Sequence, residues 1–208
     1  HRRLVQGEVM RENIRKYKKT YFPAVWIYSG SFLLGILIPN IIWKTAWNQK
    51  AAASIYLLSI FAGKDLEEQE YFIQVLKMRA SIFILAALCG ITVFGVVIAI
   101  AGLLGSGLLL GMVLTMSVLE FGIPGCAVGI GLVFPQYIFY IPCMLLLFTE
   151  IYRQSLETWK NQGRMAADIT GYTGRILLCG LGYSLGILLE IYCNPRVMEF
   201  LIKNISLF

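Results

Sequence analysis

Apolar and polar positions in this chain do not alternate residue by residue. They are sorted into long blocks, and an apolar block of about 20 residues is long enough to cross a bilayer as a helix. Apolar runs occupy residues 21–43, 81–149 and 175–193. Between Ser81 and Thr149 the only charged side chain is Glu120, and a block of that length holds three crossings. The pattern therefore predicts an all-α, polytopic helical bundle with five spans, over residues 21–43, 81–101, 105–119, 125–148 and 175–193. Short interfacial amphipathic helices are expected beside them.

Glycine and proline punctuate the long block. Gly102, Gly105 and Gly107 are read as a tight turn or kink between the second and third spans. Gly107 and Gly111, like Gly125 and Gly129, have the four-residue spacing of small side chains that lets helices approach closely, and packing within the chain is favoured over dimerisation. The fourth span is the most broken, with Gly122, Gly125, Gly129 and Gly131 interleaved with Pro124, Pro135 and Pro142. A proline inside a helix removes one hydrogen bond and crowds the carbonyl four residues back. Two kinks are expected, freeing the carbonyls of Gly131 and Ile138. Gln136 lies beside the first kink, with Tyr140 one turn on. An amide in lipid needs partners, and the freed carbonyls offer acceptors for its N–H groups. Holding two helices together is the favoured role for Gln136, with a pore or substrate role as the competitor.

The polar blocks frame the spans. Residues 44–79 are too polar to cross and too apolar for an ordinary loop. Two short amphipathic helices, about 51–61 and 70–78, are expected there, lying on the outer leaflet or on the bundle. They cap the bundle or dock a partner, with Tyr71, Phe72 and Leu76 as candidate partner contacts. Asn194-Pro195 is expected to end the fifth span, followed by an interfacial helix. Glu150 and Arg153 are read as a surface pair one turn apart.

Composition agrees: the 208 residues are 58% hydrophobic and 14% charged, with a mean hydropathy of +0.70. The net charge of +6 is concentrated before residue 21, in Arg2, Arg3, Arg11, Arg15, Lys16, Lys18 and Lys19. Basic residues are retained on the cytoplasmic side, so residues 1–20 are expected in the cytoplasm as a basic tail. Residues 21–208 then form a single membrane domain in the cell membrane. Five spans place the C-terminus, and residues 44–79, outside. The basic residues Lys44, Lys50, Lys64, Lys77 and Arg79 in that outer segment count against this orientation, but the inner segments carry more. The tail reads as an orientation signal beside anionic lipid rather than a nucleic-acid site. The chain opens with His1 rather than Met, and the first apolar stretch lacks the small-residue site of a cleavable signal peptide.

Candidate chemistry is sparse. His1 is the only histidine, which leaves no histidine-based triad or histidine-ligated metal. The five cysteines, Cys89, Cys126, Cys143, Cys179 and Cys193, show no C-x-x-C spacing and read as small apolar residues. Gly63-Lys64 lacks the rest of a phosphate loop. Glu120 and Glu190 lie near span ends, where a carboxylate needs no special role. No catalytic residue, cofactor or metal is expected, and the chain reads as non-enzymatic.

The element Phe134-Pro135-Gln136 with Pro142 seven residues after the first proline, preceded by Gly-rich spans and followed by a basic loop, a fifth span and Asn194-Pro195, resembles the stage II sporulation protein M family. The resemblance extends from Glu12-Asn13-Ile14 to the C-terminal segment. Many relatives carry His-Gly after the first proline and a carboxylate shortly before the second. Here Gln136-Tyr137 and Tyr140 stand in those places, which argues against acid-base chemistry at this element. The resemblance implies a membrane scaffold of endospore formation. Such a protein recruits peptidoglycan hydrolases, a lytic transglycosylase and an amidase/endopeptidase, to the engulfing septal membrane. Membrane lipid is the other expected partner, and homo-oligomerisation is left open. The alternative is a transporter or permease-like subunit, because helices broken by Gly and Pro also build substrate paths.

Overall fold

The computed structural model describes residues 24–41, 68–161, 169–197 and 200, apart from the side chains of 68–71, 120 and 121. All of the regular structure among them is helical. Helix α1 is Ala24–Ile41, α2 is Glu68–Cys89, and α3 is Gly95–Phe121. Then come α4, Ile123–Val133, α5, Tyr137–Lys160, and α6, Ile169–Tyr192. Among the described residues four helices are long and apolar enough to cross a membrane, and a fifth span arises if the bent pair α4–α5 counts as one. The basic tail and the expected amphipathic helix at 51–61 lie outside the described residues.

Two boundaries differ from the sequence expectation, each for a physical reason. Residues 70–78 are not a separate surface helix but the first half of α2, whose apolar stretch runs Phe72–Cys89. The charge that ended the apolar block in the sequence, Arg79, is neutralised across the bundle by Glu190, so the helix carries it inward. The second difference is the turn between spans two and three, which falls at residues 90–94 rather than at Gly102, Gly105 and Gly107. Those three glycines lie inside the unbroken 27-residue α3.

Most of the glycines of α3 serve packing. A methyl group at Gly102 would strike the Phe148 ring of α5, and one at Gly107 would strike Ser31 Oγ and the Tyr28 carbonyl of α1. At Gly111 it would strike the Phe32 carbonyl, and Gly35 on α1 meets the Leu108 carbonyl in the same way. The Gly107/Gly111 spacing is thus used within the chain, letting α1 and α3 touch backbone to backbone. Ser31 adds a hydrogen bond from its Oγ to the Leu103 carbonyl, at 3.3 Å.

The fourth span is bent once, not twice. Helices α4 and α5 meet at 59° across Phe134, Pro135 and Gln136, where the Phe134–Pro135 peptide is cis. Pro142 lies inside α5, exposed, and the helix continues past it. The bent pair follows α3 in the antiparallel sense. Gly129 lies against Ser117 and Leu114, Phe148 against Gly102, and Ser155 against Gly95 and Val96. A main core of α1, α2, α3, α5 and α6 side chains, including Ala99, Leu103, Phe148, Ile151 and Tyr172, fills the middle of the bundle. A second cluster of Tyr140, Tyr183, Ile187 and Ile191 sits between α5 and α6.

Candidate functional site

Helices α5 and α6 approach closely because α6 presents glycine to α5. A methyl group at Gly186 would come within 2.6 Å of the Tyr140 ring, and one at Gly182 within 2.6 Å of Cys143 Sγ. Seated on Gly186, Tyr140 is only 1% exposed, and its hydroxyl donates to Glu190 Oε2 at 2.6 Å. From α2, Arg79 closes the other side. Its Nη2 donates to Glu190 Oε1 at 2.7 Å and its Nε to Oε2 at 3.0 Å, a two-pronged pairing that matches the planar guanidinium to the planar carboxylate. The guanidinium also lies 5.2 Å from the centre of the Tyr140 ring.

Aromatic rings enclose this group. Tyr137 meets Tyr140 edge to face at 5.7 Å, Tyr140 tilts against Tyr183 at 4.8 Å, and Tyr183 stacks on Phe83 at 5.1 Å. In low-dielectric surroundings an unpaired charge is expensive, so charged groups inside a membrane bundle pair with each other. Both oxygens of Glu190 are engaged and the pair sums to zero charge. The group ties α2, α5 and α6 together.

A second ion pair lies toward the other end of α5 and α6. Arg175 Nε donates to Glu150 Oε2 at 2.7 Å, the Glu150 side chain being 2% exposed. Glu150 is therefore turned into the bundle, not outward as the sequence reading had it. Ser155, five residues further along α5 and fully buried, accepts from the Val96 N–H at 3.0 Å and donates to the Thr92 carbonyl at 2.6 Å. Tyr172 donates to the Ala87 carbonyl at 2.6 Å. One residue from α5 and one from α6 thus hold the turn between α2 and α3.

The residues singled out in the sequence are dispersed. Pro135 makes the bend, and Gln136 is 1% exposed beside it. Gln136 Nε2 donates to the carbonyl of Leu132, not to that of Gly131 or Ile138 as expected from the prolines, while its Oε1 is buried with no partner among the described residues. Gly125, Gly129 and Gly131 are buried in α4, with Gly129 against Ser117 of α3. Only Tyr140 belongs to the Arg79–Glu190 group. Phe72 packs on the second cluster, Leu76 is 40% exposed, and the Tyr71 side chain lies outside the described residues.

Sequence reading missed Arg79 and placed Glu190 at an interface without a task. The available signal was their opposite sign at the margins of two apolar runs, each charge needing a counter-charge if its helix enters lipid. Comparison with family models, with curated proteins and with solved structures finds no match to this chain. Fold and site together define a polytopic, all-α membrane bundle locked by internal ion pairs.

Proposed function

We propose that this protein is a non-enzymatic membrane scaffold of endospore formation, which holds peptidoglycan hydrolases at the engulfing membrane. The specific identity rests on the sequence resemblance at Phe134-Pro135-Gln136, Pro142 and Asn194-Pro195. The observation that favours a scaffold over a catalyst is the full engagement of Glu190. Its two oxygens are taken by Arg79 and Tyr140, so this ion pair acts as a clasp. The candidate partner contacts are Tyr71, Phe72 and Leu76 at the start of α2, of which Leu76 is exposed and Phe72 packs on the second cluster.

Co-purification of tagged protein from sporulating cells tests this reading. A lytic transglycosylase or an amidase/endopeptidase is expected in the eluate, and their absence from cross-linked membranes rejects the recruiting role. The transporter alternative draws on the bend at Pro135 and on Gln136 Oε1, which is unpartnered among the described residues. Solute flux into liposomes that Gln136→Ala abolishes would select it instead.

A further inference from the structure

A cavity of about 450 Å³ opens between α1, α3 and α5, within the range of roughly 300–1,000 Å³ of small-molecule sites. It belongs to neither ion-pair group. Ala24, Ile27, Ala99, Ile100, Leu103 and Phe148 make its walls, and Lys160 stands at one end. Phe148 and Lys160 are twelve residues apart on α5, so the groove follows that helix for about 18 Å. Its floor is packed: Ala99 is 1% exposed, and Phe148 is 5% exposed and pressed against Gly102. No carboxylate among the described residues lines it.

Two observations set the depth and sign of the mouth. Trp26 in the first turn of α1 and Trp159 in the last turn of α5 are 65% and 58% exposed. Exposed indoles of this kind sit at the headgroup level of a membrane. Lys160 is exposed at the end of α5, with Glu157 exposed three residues before it, and the sequence before Ala24 carries Arg15, Lys16, Lys18 and Lys19. A long apolar groove that starts at headgroup depth beside a lysine complements one acyl chain below one anionic head.

We propose that this groove is a binding site for an anionic phospholipid, with an acyl chain along Ala99, Leu103 and Phe148 and the phosphate at Lys160. A basic residue near an anionic surface contributes about 1 kcal/mol, so reversing one charge changes affinity roughly thirty-fold. The test uses the full chain, delipidated in detergent and titrated with phosphatidylglycerol or phosphatidylcholine, with bound lipid counted by native mass spectrometry. Wild type is expected to keep one phosphatidylglycerol in preference to phosphatidylcholine. Lys160→Glu, a change at an exposed position, should weaken phosphatidylglycerol about thirty-fold and leave phosphatidylcholine unchanged. Ala99→Phe should exclude both lipids while an unchanged circular dichroism spectrum reports an intact fold. Equal retention of the two lipids by wild type, or unchanged phosphatidylglycerol binding by Lys160→Glu, overturns the proposal. So does phosphatidylglycerol bound as tightly by a folded Ala99→Phe variant. The outcome is independent of whether hydrolases co-purify.

Discussion

Glu190 is the residue on which the membrane interior of this protein turns, and its removal is predicted to be more damaging than the removal of its whole network. With Glu190→Leu, Arg79 keeps its charge in an apolar, aromatic setting without a counter-charge. Breaking one side of a buried pair costs about 3 kcal/mol or more. The triple variant Arg79→Met, Tyr140→Phe, Glu190→Leu removes both charges and the hydroxyl that donates to Glu190, and should unfold within about 1 kcal/mol of wild type. Denaturant unfolding in mixed micelles measures both. If the triple variant is as unstable as the single one, the pair is not the clasp described here. Tyr140→Phe probes the third member. It removes a hydrogen bond to a charged acceptor and should cost about 2 kcal/mol, with the ring still seated on Gly186.

Among the elements, α3 separates two uses of glycine. Gly105 has nothing within 4 Å of where a methyl group would sit, whereas Gly107 would meet Ser31 and the Tyr28 carbonyl. Gly105→Ala is therefore expected to stabilise by about 0.5–1 kcal/mol, because alanine loses less backbone freedom in a helix. Gly107→Ala should cost about 1–3 kcal/mol by forcing α1 away. A turn at these positions would make both substitutions harmful, so thermal unfolding of the two variants discriminates. This contrast also shows what was legible in the sequence. Hydropathy gave the helices, since the number of long apolar blocks depends only on local composition. It could not place the break between α2 and α3, because Gly90 and Gly102 look alike until their neighbours are known. Gly90 lies beside Tyr172 and Gly102 beside Phe148, contacts made across more than 40 residues. The bend at Pro135 was readable from chemistry local to it. The inward reach of α2 was not, because it depends on a partner for Arg79 that lies 111 residues away.

At the scale of the whole molecule, contacts along α3 decide how often the chain crosses the bilayer. A re-entrant α4 and α5 would leave and return to the same end of α3. Instead their contacts move in one direction, from Gly129 at Ser117, through Phe148 at Gly102, to Ser155 at Val96. That course covers 21 residues of α3, about 32 Å, close to the roughly 30 Å of the hydrocarbon core. The other helices fall into the same order. Helix α1 runs parallel to α3, with Ser31 at Leu103 and Gly35 at Leu108. Helix α2 ends at the turn that starts α3, where Tyr172 near the start of α6 also reaches it. The starts of α1, α3 and α6 therefore share one end of the bundle, and the end of α6 lies at the other. If all five apolar units cross, the regions before Ala24 and after Val197 emerge on opposite faces. With Lys160 at the end of α5 and a basic sequence before α1, the positive-inside rule predicts that this face is the cytoplasmic one. Fusions of an alkaline phosphatase and a green fluorescent protein to each terminus in turn should give fluorescence without phosphatase activity at the N-terminus and the reverse at the C-terminus. Fluorescence at both termini would mean an even number of crossings, with α4 and α5 no longer a single broken span.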